Sequence, residues 1–150
     1  VMPADDDYNS NIIDQMVQLA SINNFDIVCP SRFIKGGSMK GASFIKTFLV
    51  IFANFSLRYF AGMPVRDSTN GFRLFSRHLI DNIKIESNVG FTYSIEYLVK
   101  GCRRGYSITE IPALWKERKF GQSNFELYKW MLPYLKWYFY AFFTIFYRKK

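Results

Sequence analysis

The chain of 150 residues holds one histidine and two cysteines. With His78 alone, a histidine-based metal site or a His-dependent nucleophilic triad has no footing. Its setting, FSRHLID, is that of a helix start and marks it as structural. Cys29 and Cys102 have neither a metal nor a redox spacing, and a reducing compartment is the default for such a chain. Long uncharged runs are missing as well. Lys46 and Arg58 bracket 11 uncharged residues, and 11 more separate Lys136 from Arg148. About 20 are needed to span a bilayer, so neither run is a clear transmembrane helix. No basic stretch leads an apolar run at the start, as in a secretory leader. There is no internal repeat and no low-complexity segment. Residues 1–30 contain no lysine or arginine, yet hold five aspartates: Asp5, Asp6, Asp7, Asp14 and Asp26.

Apolar residues are plentiful, at 49% of the chain, enough for the core of one domain. Aromatics reach 19%, with 16 Phe and 10 Tyr. The formal net charge is +8, and it is uneven. Residues 31–150 carry all 20 basic residues against seven acidic ones. An acidic entry segment therefore leads into a basic body, which would attract phosphates, nucleic acid or an anionic membrane surface.

Local patterns give an α/β order. VMPA has the character of the end of a buried strand. SNIIDQMVQLASI follows at helical spacing, with Ser10 or Asn11 as N-cap. FDIVCPS is a second β-prone run, stopped by Pro30. Strand, helix and strand within about 30 residues form a βαβ unit. In such sheets ligands sit beyond the carboxyl ends of the strands, which places Asp5–Asp7 and Ser31–Arg32 at one crevice. RFIKGGSMKGAS is a flexible basic loop. FIKTFLVIFANFSLRYFAG is a long apolar helix with Phe44, Phe48, Phe52, Phe55 and Tyr59 as a stripe. It is either deeply buried or lies along a membrane. GMPVRDSTNGFRLFSR is turn-rich, and residues 78–85 are helical or mixed. FTYSIEYLVKGCRRG is a helix ended by Gly105, and YSITEIPALW is a strand. The final segment, ELYKWMLPYLKWYFYAFFTIFYRKK, is aromatic, interrupted by Pro133 and Lys136, with a basic end. Its Trp and Tyr residues suit the headgroup level of a bilayer, and Arg148–Lys150 an anionic leaflet.

Asp5 and Asp7, just past a strand, are of the type that holds Mg²⁺ or Mn²⁺ together with substrate phosphates. Asp6, between them, would point the other way. Arg32, Lys35, Lys46, Arg73, Arg118 and Lys119 fall in loops or helix ends able to face the same crevice. A metal with Arg and Lys around a diphosphate is a standard means of stabilising a leaving group that gains charge.

ADDDYN…FDIVCPSRFIKGG, then G-x4-K…AN, DSTNGFRLFSR and GFTYSIEYLVKGCRRGYSITEIPALWKERKFGQS together resemble the family 2 glycosyltransferases of GT-A fold. The nearest group is the one like dolichyl-phosphate mannose synthase and the bacterial polyprenyl-phosphate enzymes. The resemblance runs from residue 1 to about 125, with several motifs in order. It implies a mixed sheet flanked by helices, a GDP- or UDP-linked sugar donor, a divalent metal and inversion at the anomeric carbon. It also implies an acceptor that is often a polyprenyl phosphate or glycan, at the cytoplasmic face of the cell membrane. On this resemblance, Asp5 matches the metal motif. Relatives often have an aspartate where this chain has Pro3, which leaves Asp5 with Asp7, or Asp5 alone with water and phosphate. Ser31 and Arg32 match a GSR sequence after the second strand. Lys46 stands where an arginine is frequent, keeping charge but not bidentate clamping. Asp67 and Arg73 match D-x-T-S-G-F-R, and Arg118, Gly121 and Ser123 match R-x-x-G-x-S-K.

The implied roles follow. Asp67 and Arg118 are the candidate catalytic residues: Arg118 neutralises the departing diphosphate, and Asp67 acts as base or orienter at the attacking group. Ser31, Arg32, Lys46, Arg73 and Ser123 are candidate phosphate contacts. A lipid phosphate acceptor needs no base, and Arg32 and Lys46 would then hold it. Glu96 matches the acid of GF…E, although pairing with a nearby Lys or Arg is the simpler role. The family's first βαβ unit and nucleobase strand would precede Asp5. The chain thus has the look of the later part of a GT-A catalytic domain, residues 1–125, followed by an interfacial segment, 126–150. Two other readings compete: a glycosyltransferase using a saccharide or other soluble acceptor, and a non-enzymatic basic, aromatic module binding membrane or nucleic acid. The aromatics lie on apolar helices rather than on polar strands, so nucleic acid is not the expected partner.

Overall fold

The computed structural model describes residues 7–116 and 127–147. A 3-10 turn, Asp7–Ile12, leads into helix α1, Ile13–Ile22. Strand β1, Ile27–Ser31, follows. It is the middle strand of a three-stranded mixed sheet, with β3 (Leu74–Phe75) antiparallel on one side and β4 (Ile108–Pro112) parallel on the other. Beside it β2, Ser38–Lys40, pairs in parallel with β5, Leu114–Lys116. The helices are α2 (Phe44–Tyr59), α3 (Arg77–Asn82), α4 (Thr92–Arg103) and α5 (Leu127–Phe143).

Strand β1 alternates between two cores, as a period of two requires. Ile27 and Cys29 point into the larger one, with Leu57 of α2, Leu98 and Val99 of α4, and Trp137 and Ala141 of α5. Val28 points to the other face, against Met16 of α1, Phe72 and Ile111. Pro30 does not stop the strand, contrary to expectation. Ser31 O accepts from Ala113 N on the β4 side, whereas Pro30 O faces the opposite side and accepts from Asn70 Nδ2. The missing proline N–H therefore falls where β3 has already ended, and no ladder bond is lost.

Serine caps start α2 and α3: Ser43 Oγ accepts from Lys46 N, and Ser76 Oγ from Leu79 N. Helix α4 ends as expected, with Gly105 at φ 81° and Tyr106 N bonded to Gly101 O. Part of the supposed flexible loop is ordered as β2. Gly37 permits this, because a Cβ there would lie 2.3 Å from Ser31 O. Pro133 lies inside α5.

Helix α5 is packed onto the body. Trp137 Nε1 donates to Ser87 Oγ at 2.7 Å, and Tyr138 and Ser56 share a hydroxyl contact at 2.6 Å. Lys100 of α4 reaches Glu96 at 2.6 Å and Glu86 at 2.8 Å, while Lys136 of α5 reaches Glu86 at 3.0 Å. Arg103 Nη2 donates to the carbonyls of Ala61 and Ala141, joining the end of α2 to α5.

Helix α2 is inverted. Its inward residues include the polar Asn54 and Ser56 beside Leu57. The phenylalanine stripe faces out: Phe44 is 85% exposed, Phe48 58% and Phe52 56%. Of the two placements open to it from sequence, deep burial is thus not the one observed. Leu132, Phe139 and Phe143 of α5, and Phe146 just beyond it, are exposed as well. No helix of the described residues is long and apolar enough to cross a membrane.

Candidate active site

At the carboxyl end of β1 the chain turns from Ser31 into Arg32, and the guanidinium closes on Asp67. Arg32 Nε donates to Asp67 Oδ2 at 2.7 Å, Nη2 to Oδ1 at 2.8 Å, and the Arg32 backbone N to Oδ2 at 3.0 Å. Thr69 Oγ1 adds a fourth bond, to Oδ1, at 3.2 Å. Each carboxylate oxygen therefore accepts two hydrogen bonds, which fills its lone pairs. Asp67 has no solvent exposure. Burial pushes its carboxyl up, but the hydrogen bonds and charge of Arg32, with the charge of Arg73, outweigh this and hold it below its ordinary value. It is an ionised, saturated carboxylate and a poor proton acceptor. Among the described residues, no partner is found for Arg32 Nη1, since the recorded bonds use Nε, Nη2 and the backbone N.

The loop that carries Asp67 is fastened on every side. Glu110 of β4 accepts from Arg66 N at 2.8 Å and Asp67 N at 3.1 Å. Asn54 of α2 accepts from Ser68 N at 2.7 Å. Asn70 bonds Pro30 O at 2.9 Å and, through Oδ1, Phe72 N at 3.0 Å. Tyr134 of α5 reaches Ser68 O at 3.5 Å. Arg73 is fully buried, with its terminal nitrogens on Ser94 O, Ser94 Oγ and Ser68 O. That arrangement makes it the wall behind the loop rather than a contact at the front.

Of the residues singled out from sequence, Ser31, Arg32 and Asp67 come together, with Arg73 behind them. Ser31 is buried and its Oγ accepts from Phe33 N at 3.5 Å. Lys46 lies exposed in the first turn of α2, with Nζ 4.6 Å from the Trp115 ring centroid. Asp5, Arg118, Ser123 and the side chain of Asp7 lie outside the described residues. Asn9 is described, and its amide pairs with Leu114 O at 2.7 Å and Leu114 N at 2.9 Å. That fixes the 3-10 turn Asp7–Ile12 beside β5, whose neighbour Ala113 bonds Ser31 O at the end of β1. Among the described residues no group of three or more His, Cys, Asp or Glu could hold a metal. Glu96 accepts from Glu86 N and Ser87 N, each at 2.8 Å, and pairs with Lys100, so its partners are structural. Burial pushes the Cys29 thiol up to about 11, against the charge of Arg73, which leaves it unreactive at neutral pH.

Asn54, Thr69 and Glu110 fall within the motifs quoted from the sequence but were assigned no role there. Asn54 carried a signal: a lone amide within an apolar helical run must find buried partners.

The mixed sheet with helices on its faces is that of a partial GT-A fold. Comparison with known proteins points the same way, although no family model matches. The chain is similar to polyprenol monophosphomannose synthase of Mycolicibacterium smegmatis, 26% identical over 101 residues, or 66% of this chain and 38% of that protein. It is also similar to dolichyl-phosphate hexose transferase of Haloferax volcanii, 29% identical over 114 residues, or 76% of this chain and 48% of that protein. These relatives bear out the resemblance to family 2 glycosyltransferases of the polyprenyl-phosphate group. The matched stretches span less than half of each relative.

Proposed function

We propose that the protein containing this chain transfers a sugar from a GDP- or UDP-linked donor to a polyprenyl phosphate, with inversion, at the cytoplasmic face of the membrane. The observation that carries this reading is the saturated Asp67. A hydroxyl acceptor needs a base, and this carboxylate has no lone pair to offer. A phosphate acceptor is already anionic and needs none. In the transfer, an acceptor phosphate oxygen bonds to the anomeric carbon as the bond to the nucleoside diphosphate breaks, and the diphosphate leaves with the electron pair. Asp67 orients Arg32, whose Nη1 faces the acceptor phosphate. Lys46 supplies a second positive charge, and Ser31 shapes the turn. Arg118 and Ser123 hold the leaving diphosphate. Asp5 and Asp7 are the proposed holders of Mg²⁺ or Mn²⁺, which when bound would offset charge on that diphosphate.

Membrane association rests on the outward rings of α2 and the exposed apolar residues at the end of α5. Exposed apolar area of this extent marks an interaction surface, and basic residues around it suit anionic lipid.

The test is turnover by the intact protein with nucleotide-sugars, Mg²⁺ or Mn²⁺ and polyprenyl phosphate in vesicles of phosphatidylcholine and phosphatidylglycerol. Formation of lipid-linked sugar, lost in Arg32→Ala, is the expected result. No transfer from any donor to lipid phosphate sinks the reading. Full activity on a soluble glycan without vesicles would favour the saccharide-acceptor alternative. Phe48→Asp with Phe52→Asp should abolish vesicle binding without lowering the unfolding midpoint.

A further inference from the structure

Asn54 faces inward from the middle of α2 and is 4% exposed, although Phe52 and Phe55 on either side point out. Its Oδ1 accepts from Ser68 N at 2.7 Å, and its Nδ2 donates to Val50 O and to Thr69 Oγ1, each at 2.9 Å. Thr69 Oγ1 also accepts from Arg32 Nη2 at 2.7 Å. A hydroxyl has two lone pairs and one proton. With both lone pairs taken by Asn54 and Arg32, the proton has one direction left, and Asp67 Oδ1 lies there at 3.2 Å. The amide of Asn54 therefore sets the polarity of Thr69, and through it completes the shell of Asp67 that holds Arg32.

We propose that Asn54 is a positioning residue for sugar transfer: it fixes the direction of the Thr69 hydroxyl and so the aim of the Arg32 guanidinium at the acceptor phosphate. This rests on the function proposed above and deepens it. It also links the apolar-outward helix to the site by one side chain. Movement of α2 on its surface would reach Arg32 through two hydrogen bonds.

The test uses the intact protein and two readouts. Asn54→Leu removes the amide while keeping its bulk. Asn54→Asp is the control for misfolding, since it keeps the acceptor for Ser68 N while removing the amide that donates to Thr69 and Val50 O. The first readout is kcat with KM for the donor and for lipid phosphate, with Thr69→Val and the double variant alongside. Asn54→Leu and Asn54→Asp should each lower kcat tenfold or more, with little change in donor KM, and the double variant should be no worse than Thr69→Val alone. The second readout needs no turnover: the carboxyl titration of Asp67, followed by carbon NMR. In Asn54→Leu the midpoint should move up, because one hydrogen bond to the charged form is lost. Arg32, Arg73 and Glu110, the charged groups that face Asp67, are unchanged in that variant. An unmoved midpoint, or losses that multiply in the double variant, overturns the proposal and leaves Asn54 as a structural residue. If the unmodified protein transfers no sugar to lipid phosphate, the proposed function fails, and the titration still decides the positioning role.

Discussion

Replacing Arg32 by methionine would leave Asp67 in the interior with most of its compensation removed. The side chain supplies two hydrogen bonds to the carboxylate and one to Thr69. Bonds to a charged group are each worth about 1.5–3 kcal/mol, and breaking a buried pair by removing one partner costs about 3–5 kcal/mol. The backbone N of residue 32 and the Thr69 hydroxyl still serve the carboxylate, and the charge of Arg73 persists. These place the loss at the low end, about 3 kcal/mol, or a fall in Tm of about 6–12 °C for a domain of this size. Denaturant unfolding at pH 7, with the m value unchanged, measures it. A loss below about 1 kcal/mol, the worth of an exposed pair, would refute the argument that this pair is desolvated. The pH dependence gives a second check. Because the folded carboxyl is held below its ordinary value, the unfolded chain takes up the proton first as pH falls. The contribution of the pair is complete above the ordinary carboxylate range and is lost as the folded group titrates below it. Arg32→Met should therefore flatten the acid side of the stability profile.

Three further outcomes follow from the same packing. Trp137→Ala should cost about 3–5 kcal/mol by cavity formation, read by denaturant unfolding, since the ring is 2% exposed between α4 and α5. Gly37→Ala puts a methyl group 2.3 Å from Ser31 O and should destabilise by about 1–3 kcal/mol; transfer activity should fall with it, because the strain lands beside Arg32. Glu86 is held at about 2, well below its ordinary 4.5, by the hydrogen bonds of Lys100 and then Lys136. Its share of stability is present above pH 4.5 and lost as pH falls towards 2, so Glu86→Gln should remove that slope, and added salt should mimic the substitution at neutral pH.

Helix spacing made α1, α2 and α4 legible, with Gly105 marking the end of α4, and β-forming residues made β1 and alternation made β4 legible, because those signals are local. The expected cap of α1 at Ser10 or Asn11 was not found, since a 3-10 turn runs through both and the cap position falls to Ile12. The two- and three-residue strands β3 and β2 were not legible, since each exists only by pairing with a partner far along the chain. One proline misled. Pro30 reads as a strand stop, yet its missing donor faces a side with no strand; Pro133, which breaks the apolar run, lies inside a continuous α5. The loop sequence DSTNGFR and the SR after β1 pointed to Arg32 and Asp67 as one site. Their mutual bonding was not readable, because it sets whether Asp67 is a base or a clamp, and that depends on lone pairs counted in three dimensions. Asn54 and Glu110 lie 14 and 43 residues from the loop atoms they hold, beyond any local pattern.

The outward rings of α2 have a calorimetric consequence. The heat capacity of unfolding tracks the apolar area that passes from interior to water, about 12–15 cal/mol/K per residue in ordinary domains. Rings already wet in the folded state add nothing to it. In aqueous buffer this chain should therefore show a heat-capacity increment below that range and a correspondingly shallow stability curve. Detergent micelles that cover α2 should restore the curvature.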